Sequence, residues 1–178
     1  MPILRTLLGA AAVAVLLASA AWSQSGDGGV YTDIKTADGK TIGAASLTEG
    51  PGGVLMRLDV KGLPPGWHGM HFHEKGDCSD PKFMSTGGHM NMAGAKRPHG
   101  LLSEGGPDFG DLPNIYVHAD GAAKAEVFSA LVSLHGAGGR PALLDADGSA
   151  LVIHAADDDQ TSQPIGQAGA RIACGEIK

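Results

Sequence analysis

Basic residues are scarce in this 178-residue chain. It contains 13 Lys and Arg against 19 Asp and Glu, and its formal net charge is -6. Because the sequence has no basic patch that would neutralise phosphate groups, it is not a general nucleic-acid-binding protein. Aromatic residues make up only 4% of the chain, but 43% of it is apolar. That apolar fraction is too high for a disordered polar chain, and it predicts one compact core.

Long apolar runs are missing after the first 22 residues. Residues 7–22 form an apolar run that is interrupted only by Ser19 and preceded by the single charge Arg5. This arrangement is typical of a secretory signal peptide, residues 1–23, with the cut after Ser23. The alternative is an uncleaved anchor, but the run is shorter than the roughly 20 residues that a membrane span needs. Residues 24–178 then form a single exported domain with no membrane association.

Cysteine is rare, with two residues, Cys78 and Cys174. In an exported protein an even pair indicates a disulfide, because the compartment is oxidising. The alternative is two separate buried thiols. A bridge would attach the C-terminal end of the chain to a long loop.

No segment has a sustained helical period, whereas glycine is abundant, with 28 residues. Apolar and polar side chains alternate along residues 54–61, which is typical of a half-buried strand. Regularly spaced strands predict a sandwich or barrel, interrupted by two long irregular stretches at 75–110 and 157–171. Such loops are usually functional. The other predicted strands are residues 30–36, 42–48, 69–74, 114–118, 122–128 and 149–155.

Histidines are concentrated near these predicted strands. His71 and His73 are separated by one residue on a strand, so their imidazoles lie on one face while Met70 and Phe72 point into the core. His89, His99 and His154 could join them in an all-β fold. Four imidazoles suit Cu(II) in a tetragonal arrangement or zinc in a tetrahedral one.

Four ordered motifs give the chain a family resemblance from about Val30 to the C-terminus. They are residues 69–78 (GMHFHEKGDC), 86–89 (TGGH), 110–115 (GDLPNI) and 168–175 (AGARIACG), with His154 between the last two. Together they resemble the copper-zinc superoxide dismutases, in the bacterial exported branch. The resemblance implies an eight-stranded Greek-key β-barrel of immunoglobulin-like topology, which agrees with the strand pattern.

The resemblance also implies a set of site residues. Arg171 takes the position of the arginine that holds the anionic substrate beside copper. His89 is the imidazolate that bridges the two metals, and it takes up a proton when its bond to copper breaks. Cys78 and Cys174 take the positions of the family's disulfide. The copper ligands are His71, His73, His89 and His154, and the zinc ligands include His89, His99 and Asp111.

One zinc ligand departs from the family's pattern, because Asp108 stands where the family has a histidine. A carboxylate oxygen is an acceptable zinc ligand, so His89, His99, Asp108 and Asp111 can still close a four-coordinate site. The alternative is a weak or empty site in a protein that works with copper alone. The family also has an aspartate that links a copper ligand to a zinc ligand. Residues 157–159 are all aspartate, and we select Asp158 by its spacing of four from His154.

Two functions follow from the resemblance. The first is a periplasmic dismutase that converts superoxide to dioxygen and hydrogen peroxide by copper redox cycling. The second is a periplasmic copper-binding or copper-buffering protein on the same fold, which would account for the missing zinc histidine but has no need of Arg171. A homodimer is left open, because apolar barrel faces can pair.

Overall fold

The computed structural model describes residues 29–92, 94 and 96–178. The proposed signal peptide lies outside these residues. Within them, no helix has the length and apolar character that crossing a membrane requires. The strands of the described residues are β1 (Val30–Thr36), β2 (Thr41–Gly50), β3 (Gly53–Lys61), β4 (Gly66–His68), β5 (Met70–His73), β6 (Ile115–Val117), β7 (Ala122–Ser129), β8 (Ser149–His154) and β9 (Arg171–Ile177).

All strand pairs are antiparallel and form two sheets. Seven strands lie in the order β5-β8-β9-β1-β2-β3-β7, and β4 pairs with β6. Because β4 continues into β5 across Gly69, and β6 turns into β7 through residues 118–121, the chain joins the two sheets at both ends. The predicted all-β barrel is therefore confirmed. The structure divides into nine strands rather than eight because one extended run, 66–73, changes its pairing partner at Gly69.

The core explains the strand pattern. In β3 the side chains of Val54, Met56, Leu58 and Val60 are buried, and the residues between them are partly or fully exposed. Met70 and Phe72 on β5 are fully buried in the same hydrophobic core, as predicted. The inward-facing half of each strand thus fills the barrel, and the opposite face of β5 is left for His71 and His73.

Two strands are additional to the sequence prediction. β4 has only three residues and directly follows the turn around Pro64 and Pro65. β9 lacks alternation because it lies between β8 and β1 and is buried on both faces from Ala173 to Gly175. A Cβ at Gly175 would lie 2.5 Å from the terminal methyl group of the buried Ile34, so a larger residue there would force that side chain to move.

The predicted disulfide between Cys78 and Cys174 is present. Cys174 lies in β9, opposite Val152 of β8 and Lys35 of β1, in the interior of the seven-stranded sheet. The bridge therefore fastens the loop that follows β5 to the middle of the barrel wall.

Removal of the disulfide is expected to destabilise the metal-free protein. The bridge joins residues 96 apart in sequence, and the chain-entropy model gives up to about 4.7 kcal/mol for a loop of roughly 100 residues. Urea denaturation of a double variant, Cys78→Ala with Cys174→Ala, should show this loss in the free energy of unfolding. Reduced wild-type protein, which keeps both sulfur atoms, is the control. Equal denaturation midpoints for oxidised and reduced protein would contradict the expectation.

Candidate metal centre

Four buried imidazoles meet at one end of β5. His71 and His73 project from β5, and His154 is the last residue of β8, the neighbouring strand. His89 comes from the loop and forms an isolated β-bridge with His73. One potential ligand atom from each of the four residues lies within 4.8 Å of all the others. We call these residues the four-histidine cluster.

Each imidazole of this cluster has one ring nitrogen that is hydrogen-bonded to another group of the protein. His73 Nδ1 lies 3.1 Å from the Gly87 carbonyl oxygen, and His154 Nδ1 lies 3.1 Å from the Gly169 carbonyl oxygen. In each case the Nδ1–H donates, so the Nε2 lone pair is free. Among the described residues, the buried atoms without a hydrogen-bond partner include His71 Nδ1, His73 Nε2, His89 Nε2 and His154 Nε2. Buried polar atoms rarely lack partners, so this converging set is fitted to a metal ion.

Burial also keeps three of these imidazoles neutral. Desolvation lowers the pKa of His71 to about 4, despite the hydrogen bond to Asp158, and that of His154 to about 3. The pKa of His73 is likewise lowered well below its usual value, chiefly by burial. At neutral pH these nitrogens therefore present lone pairs rather than protons.

A second group lies on the other side of His89. His89 Nδ1 is 3.2 Å from Asp108 Oδ2 and 3.6 Å from Asp111 Oδ1. His99 Nδ1 is 2.6 Å from Asp111 Oδ1 and 3.8 Å from Asp108 Oδ2. All four residues are buried. We call them the mixed cluster. It shares His89 with the four-histidine cluster.

His71 also lies near this second group, since it can offer a ligand atom within 4.8 Å of those of His89, His99 and Asp111. Its Nε2, however, is 2.7 Å from Asp158 Oδ2, and its Nδ1 belongs to the unpaired set of the four-histidine cluster. Asp108, with an oxygen close to both His89 and His99, is therefore the better fourth member of the mixed cluster.

Backbone hydrogen bonds orient the two carboxylates. Asp111 Oδ2 accepts from Gly100 N at 2.7 Å and from Asp108 N at 3.0 Å, and Asp108 Oδ1 accepts from Gly110 N at 3.0 Å. Each aspartate thus uses one oxygen to hold the turn and directs the other at the imidazoles.

These carboxylates raise the pKa values of the imidazoles in the mixed cluster, whereas burial lowers those of His71, His73 and His154. Burial opposes charge on His99, but its contacts with Asp108, Asp111 and Asp158 raise its pKa to about 11. The pKa of His89 is raised in the same way by Asp108 and Asp111 against the opposing effect of burial. Burial would raise the pKa of Asp111, but its contacts with His89 and His99 lower it well below its usual range. The metal-free mixed cluster is accordingly an ion-pair network.

One carboxylate connects the two clusters. Asp158 Oδ2 lies 2.7 Å from His71 Nε2, and Asp158 Oδ1 lies 3.1 Å from His99 Nε2. Asp158 is buried, whereas Asp157 and Asp159 are exposed. Asn114, which the sequence analysis missed, holds Asp158 in place. Its side-chain amide accepts from Asp158 N at 3.0 Å and donates to Asp158 O at 2.8 Å.

The loops that carry these ligands are paired directly to β5. Phe72 N donates to Gly110 O, Met90 N donates to Phe72 O, and Glu74 N donates to Gly88 O. Gly110 is required by this close approach, because a Cβ there would lie 2.2 Å from Phe72 O. The outer edge of β5 is therefore covered by the ligand loops.

Arg171, at the start of β9, reaches the same region. Its Nη1 donates to Phe83 O and to Thr86 Oγ1 at 2.9 Å, and its Nη2 donates to Gly87 O at 2.8 Å. Arg171 lines an open pocket of about 640 Å³ together with His89, His99 and Asp108. Lys96 and Arg97 also line this pocket, so several cations surround the entrance.

The remaining histidines lie outside both clusters. His68 is buried, with Nδ1 at 2.7 Å from His154 O and Nε2 at 2.8 Å from Pro64 O, so its ring joins two stretches of backbone. His118 and His135 are exposed.

Comparison with known proteins identifies a matching family model and several similar proteins. The family model described as copper/zinc superoxide dismutase matches residues 41–177. The chain is 62% identical over 145 residues to a Cu-Zn superoxide dismutase of Caulobacter vibrioides, covering 82% of this chain and 83% of the relative. It is 43% identical over 176 residues to a Cu-Zn superoxide dismutase of Aquifex aeolicus, covering 98% of this chain and 100% of the relative.

Solved structures agree. A superoxide dismutase-like protein from Bacillus subtilis superimposes with a TM-score of 0.77 at 35% identity, over 83% of this chain and 97% of that one. The Cu/Zn superoxide dismutase from Brucella abortus superimposes with a TM-score of 0.67 at 28% identity, over 84% of this chain and 99% of that one.

The charge states of the clusters predict different proton release on metal binding. Zinc entering the mixed cluster displaces a proton from His99, whose pKa is about 11, in addition to any proton on the shared His89, so we expect zinc to release about one proton more than copper near pH 7. Copper(II) entering the four-histidine cluster meets three neutral imidazoles and should release fewer. Calorimetric titration of metal-free protein in buffers of different ionisation enthalpy measures both numbers. Equal release for the two metals would show that the charge assignment is wrong.

Proposed function

The chain belongs to the copper/zinc superoxide dismutase family, and we propose that it acts as an exported dismutase whose chemistry takes place at the four-histidine cluster. The enzyme converts superoxide to dioxygen and hydrogen peroxide. The observation that carries the site assignment is the convergence of four unpaired imidazole nitrogens in a region that Arg171 also reaches. A metal site with an adjacent fixed cation suits a small anionic substrate.

Copper is held by His71, His73, His89 and His154 in this proposal. When bound, copper supplies the electron exchange, oxidising one superoxide ion and reducing a second. The protein supplies ligand orientation, because the Nδ1 atoms of His73 and His154 are fixed by backbone carbonyls and Nε2 is left for the metal. It also limits contact with solvent to the pocket side of His89, since all four residues are buried and only His89 of the four lines the pocket.

Zinc is held by the mixed cluster, with Asp108 as the fourth ligand. Support comes from the single carboxylate oxygen that Asp108 directs at His89 and His99 while its other oxygen binds Gly110 N. Two carboxylates in place of one make this site more negative and harder, so it discriminates less strongly between zinc and other divalent ions.

Arg171 and His89 are the catalytic residues. The three hydrogen bonds of Arg171 use three of the five N–H groups of a guanidinium, so two are left to bind an anion by charge-assisted hydrogen bonds. His89 Nε2 faces the four-histidine cluster, and whenever it is not bound to copper it can hold a proton there and give it to the peroxide product.

Asp158 is a positioning residue for both metals. Because it accepts from His71 Nε2 and from His99 Nε2, it fixes the ring orientation of one ligand in each cluster. Such outer contacts typically affect metal affinity by about 10- to 100-fold.

We place the mature protein in the periplasm, after removal of residues 1–23. The disulfide supports export, because such bridges persist in oxidising compartments. Residues 24–178 then constitute the working domain.

Activity measurement tests this function. The rate of superoxide disappearance is followed by pulse radiolysis on protein loaded with copper, with and without zinc, and with the metal content assayed on the same sample. We expect a fast rate that Arg171→Ala reduces at least tenfold by loss of anion binding, while copper affinity stays unchanged. Arg171→Lys, which keeps the charge, should retain more activity than Arg171→Ala.

Different outcomes discriminate between the candidate functions. A slow rate with copper fully bound and zinc present would favour the copper-buffering alternative. A fast rate without zinc would mean that the mixed cluster is dispensable for turnover. A fast rate that is indifferent to Arg171→Ala would refute the role of this arginine.

A second copy of the chain is the proposed partner besides superoxide. On β4 and β6 the rings of Trp67 and Tyr116 pack edge to face with centroids 5.1 Å apart, and both side chains are exposed. An exposed aromatic pair is a typical centre of a binding surface.

Self-association is therefore expected to depend on Trp67. Sedimentation velocity over a range of concentrations should show a dimer whose dissociation constant rises about tenfold or more in Trp67→Ala, the usual effect of truncating a buried interface tryptophan. Phe128→Ala is the matched control, because Phe128 on β7 is 55% exposed against 56% for Trp67. A monomer at every concentration, or equal effects of the two variants, would contradict this prediction.

A further inference from the structure

The turn that carries Asp108 is held from outside by one arginine. Arg97 Nη2 donates to Gly106 O at 2.7 Å. The same guanidinium lies over the ring of Phe109, with its central carbon 5.1 Å from the ring centroid. These two contacts lie on either side of Asp108, two residues before it and one residue after it.

Arg97 is itself fixed in place. Its backbone N–H donates to Asn91 Oδ1 at 3.1 Å, its side chain is partly buried, and it lies two residues before His99. The guanidinium lines the same pocket as Asp108. It therefore connects the segment that carries His99 to the turn that carries Asp108.

We propose that Arg97 is a positioning residue that holds the 106–109 turn so that Asp108 presents Oδ2 to the metal of the mixed cluster. The inference rests on the proposed function, in which Asp108 is a zinc ligand. It assigns to this chain a specific support for the position at which it departs from the family's pattern.

The chemistry of arginine explains why this residue type suits the role. A guanidinium can donate in its plane to a carbonyl oxygen while its face stacks on an aromatic ring, and a lysine ammonium cannot do both.

Lys96 provides a matched control. It is the neighbouring residue, lines the same pocket and carries the same charge, and none of the hydrogen bonds or cation-π contacts found in the described residues joins it to the 106–109 turn. Arg97→Gln and Lys96→Gln therefore remove the same charge, but only the first removes the contacts with Gly106 and Phe109.

The test measures metal binding at the mixed cluster rather than activity. Zinc affinity is determined by competition with a chelator on copper-loaded protein, and cobalt(II) is then bound in place of zinc so that its visible absorption reports ligand geometry. We expect Arg97→Gln to weaken zinc binding by about tenfold, the lower end for residues that orient a ligand, and to alter the cobalt spectrum. Lys96→Gln should change affinity less than about twofold, as for an exposed charge.

A double-mutant cycle with Asp108→Asn tests whether Arg97 acts through this carboxylate. If it does, the effect of Arg97→Gln disappears when Asp108 is already replaced. Persistence of the full effect in the Asp108→Asn protein, equal effects of Arg97→Gln and Lys96→Gln, or no effect of Arg97→Gln would each overturn the inference. If Asp108→Asn alone leaves zinc affinity and the cobalt spectrum unchanged, the assignment of Asp108 as a ligand fails, which is a failure of the proposed function.

Two measurements separate this role from a general loss of structure. The copper spectrum of the four-histidine cluster should be unchanged in Arg97→Gln, and the melting temperature of the metal-free protein should fall by only the few degrees that the loss of one hydrogen bond and one cation-π contact explains. If that variant does not fold, Arg97→Lys serves instead. Arg97→Lys keeps the charge, and we expect its zinc affinity to lie between the affinities of wild type and of Asp108→Asn. Wild-type affinity in Arg97→Lys would overturn the inference.

Discussion

The carboxylate of Asp158 is the contact on which the whole centre depends. It is buried and hydrogen-bonds to imidazoles from two different parts of the chain, His71 on β5 and His99 in the long loop. Burying a carboxylate is costly unless several donors satisfy it. Gln160 N adds another donor at 2.7 Å, and Asn114, the residue just before β6, holds the Asp158 backbone. The two clusters are thus parts of one hydrogen-bonded unit.

Shared hydrogen-bond acceptors also link Arg171, the proposed anion-binding group, to the four-histidine cluster. The carbonyl oxygen of Gly87 accepts both from Arg171 Nη2 and from His73 Nδ1. Thr86 Oγ1 lies within hydrogen-bond distance of the same two side chains. The loop between β5 and His89 therefore sets the position of the guanidinium relative to the imidazoles, and the disulfide at Cys78 anchors this loop to β9. A shift of that loop would move a ligand and the anion-binding group together.

Local patterns in the sequence were sufficient for much of the fold. Alternation identified β3, and the spacing of His71 and His73 placed both on one face, because these features depend only on the two-residue period of a strand. β9 was missed because a strand buried between two others does not alternate. The partnership of Asn114 with Asp158 and that of Thr86 with Arg171 join residues 44 and 85 positions apart. Nothing local encodes such pairs. The sequence showed that Asp108 departs from the family's pattern. It did not show which carboxylate oxygen faces the imidazoles, because that depends on the hydrogen bond from Gly110 N to Asp108 Oδ1.

The pairing of the ligand loops with β5 has a consequence for the behaviour of the chain in solution. β5 is the terminal strand of the seven-stranded sheet, and an uncovered terminal strand is a template for adding a strand from another molecule. Here the backbone groups of Phe72 and Glu74 are occupied by Gly110, Met90 and Gly88. The segments that carry the proposed metal ligands therefore also cover the edge of the sheet. A substitution that uncovers β5 is expected to reduce solubility as well as metal binding, even at a residue outside both clusters.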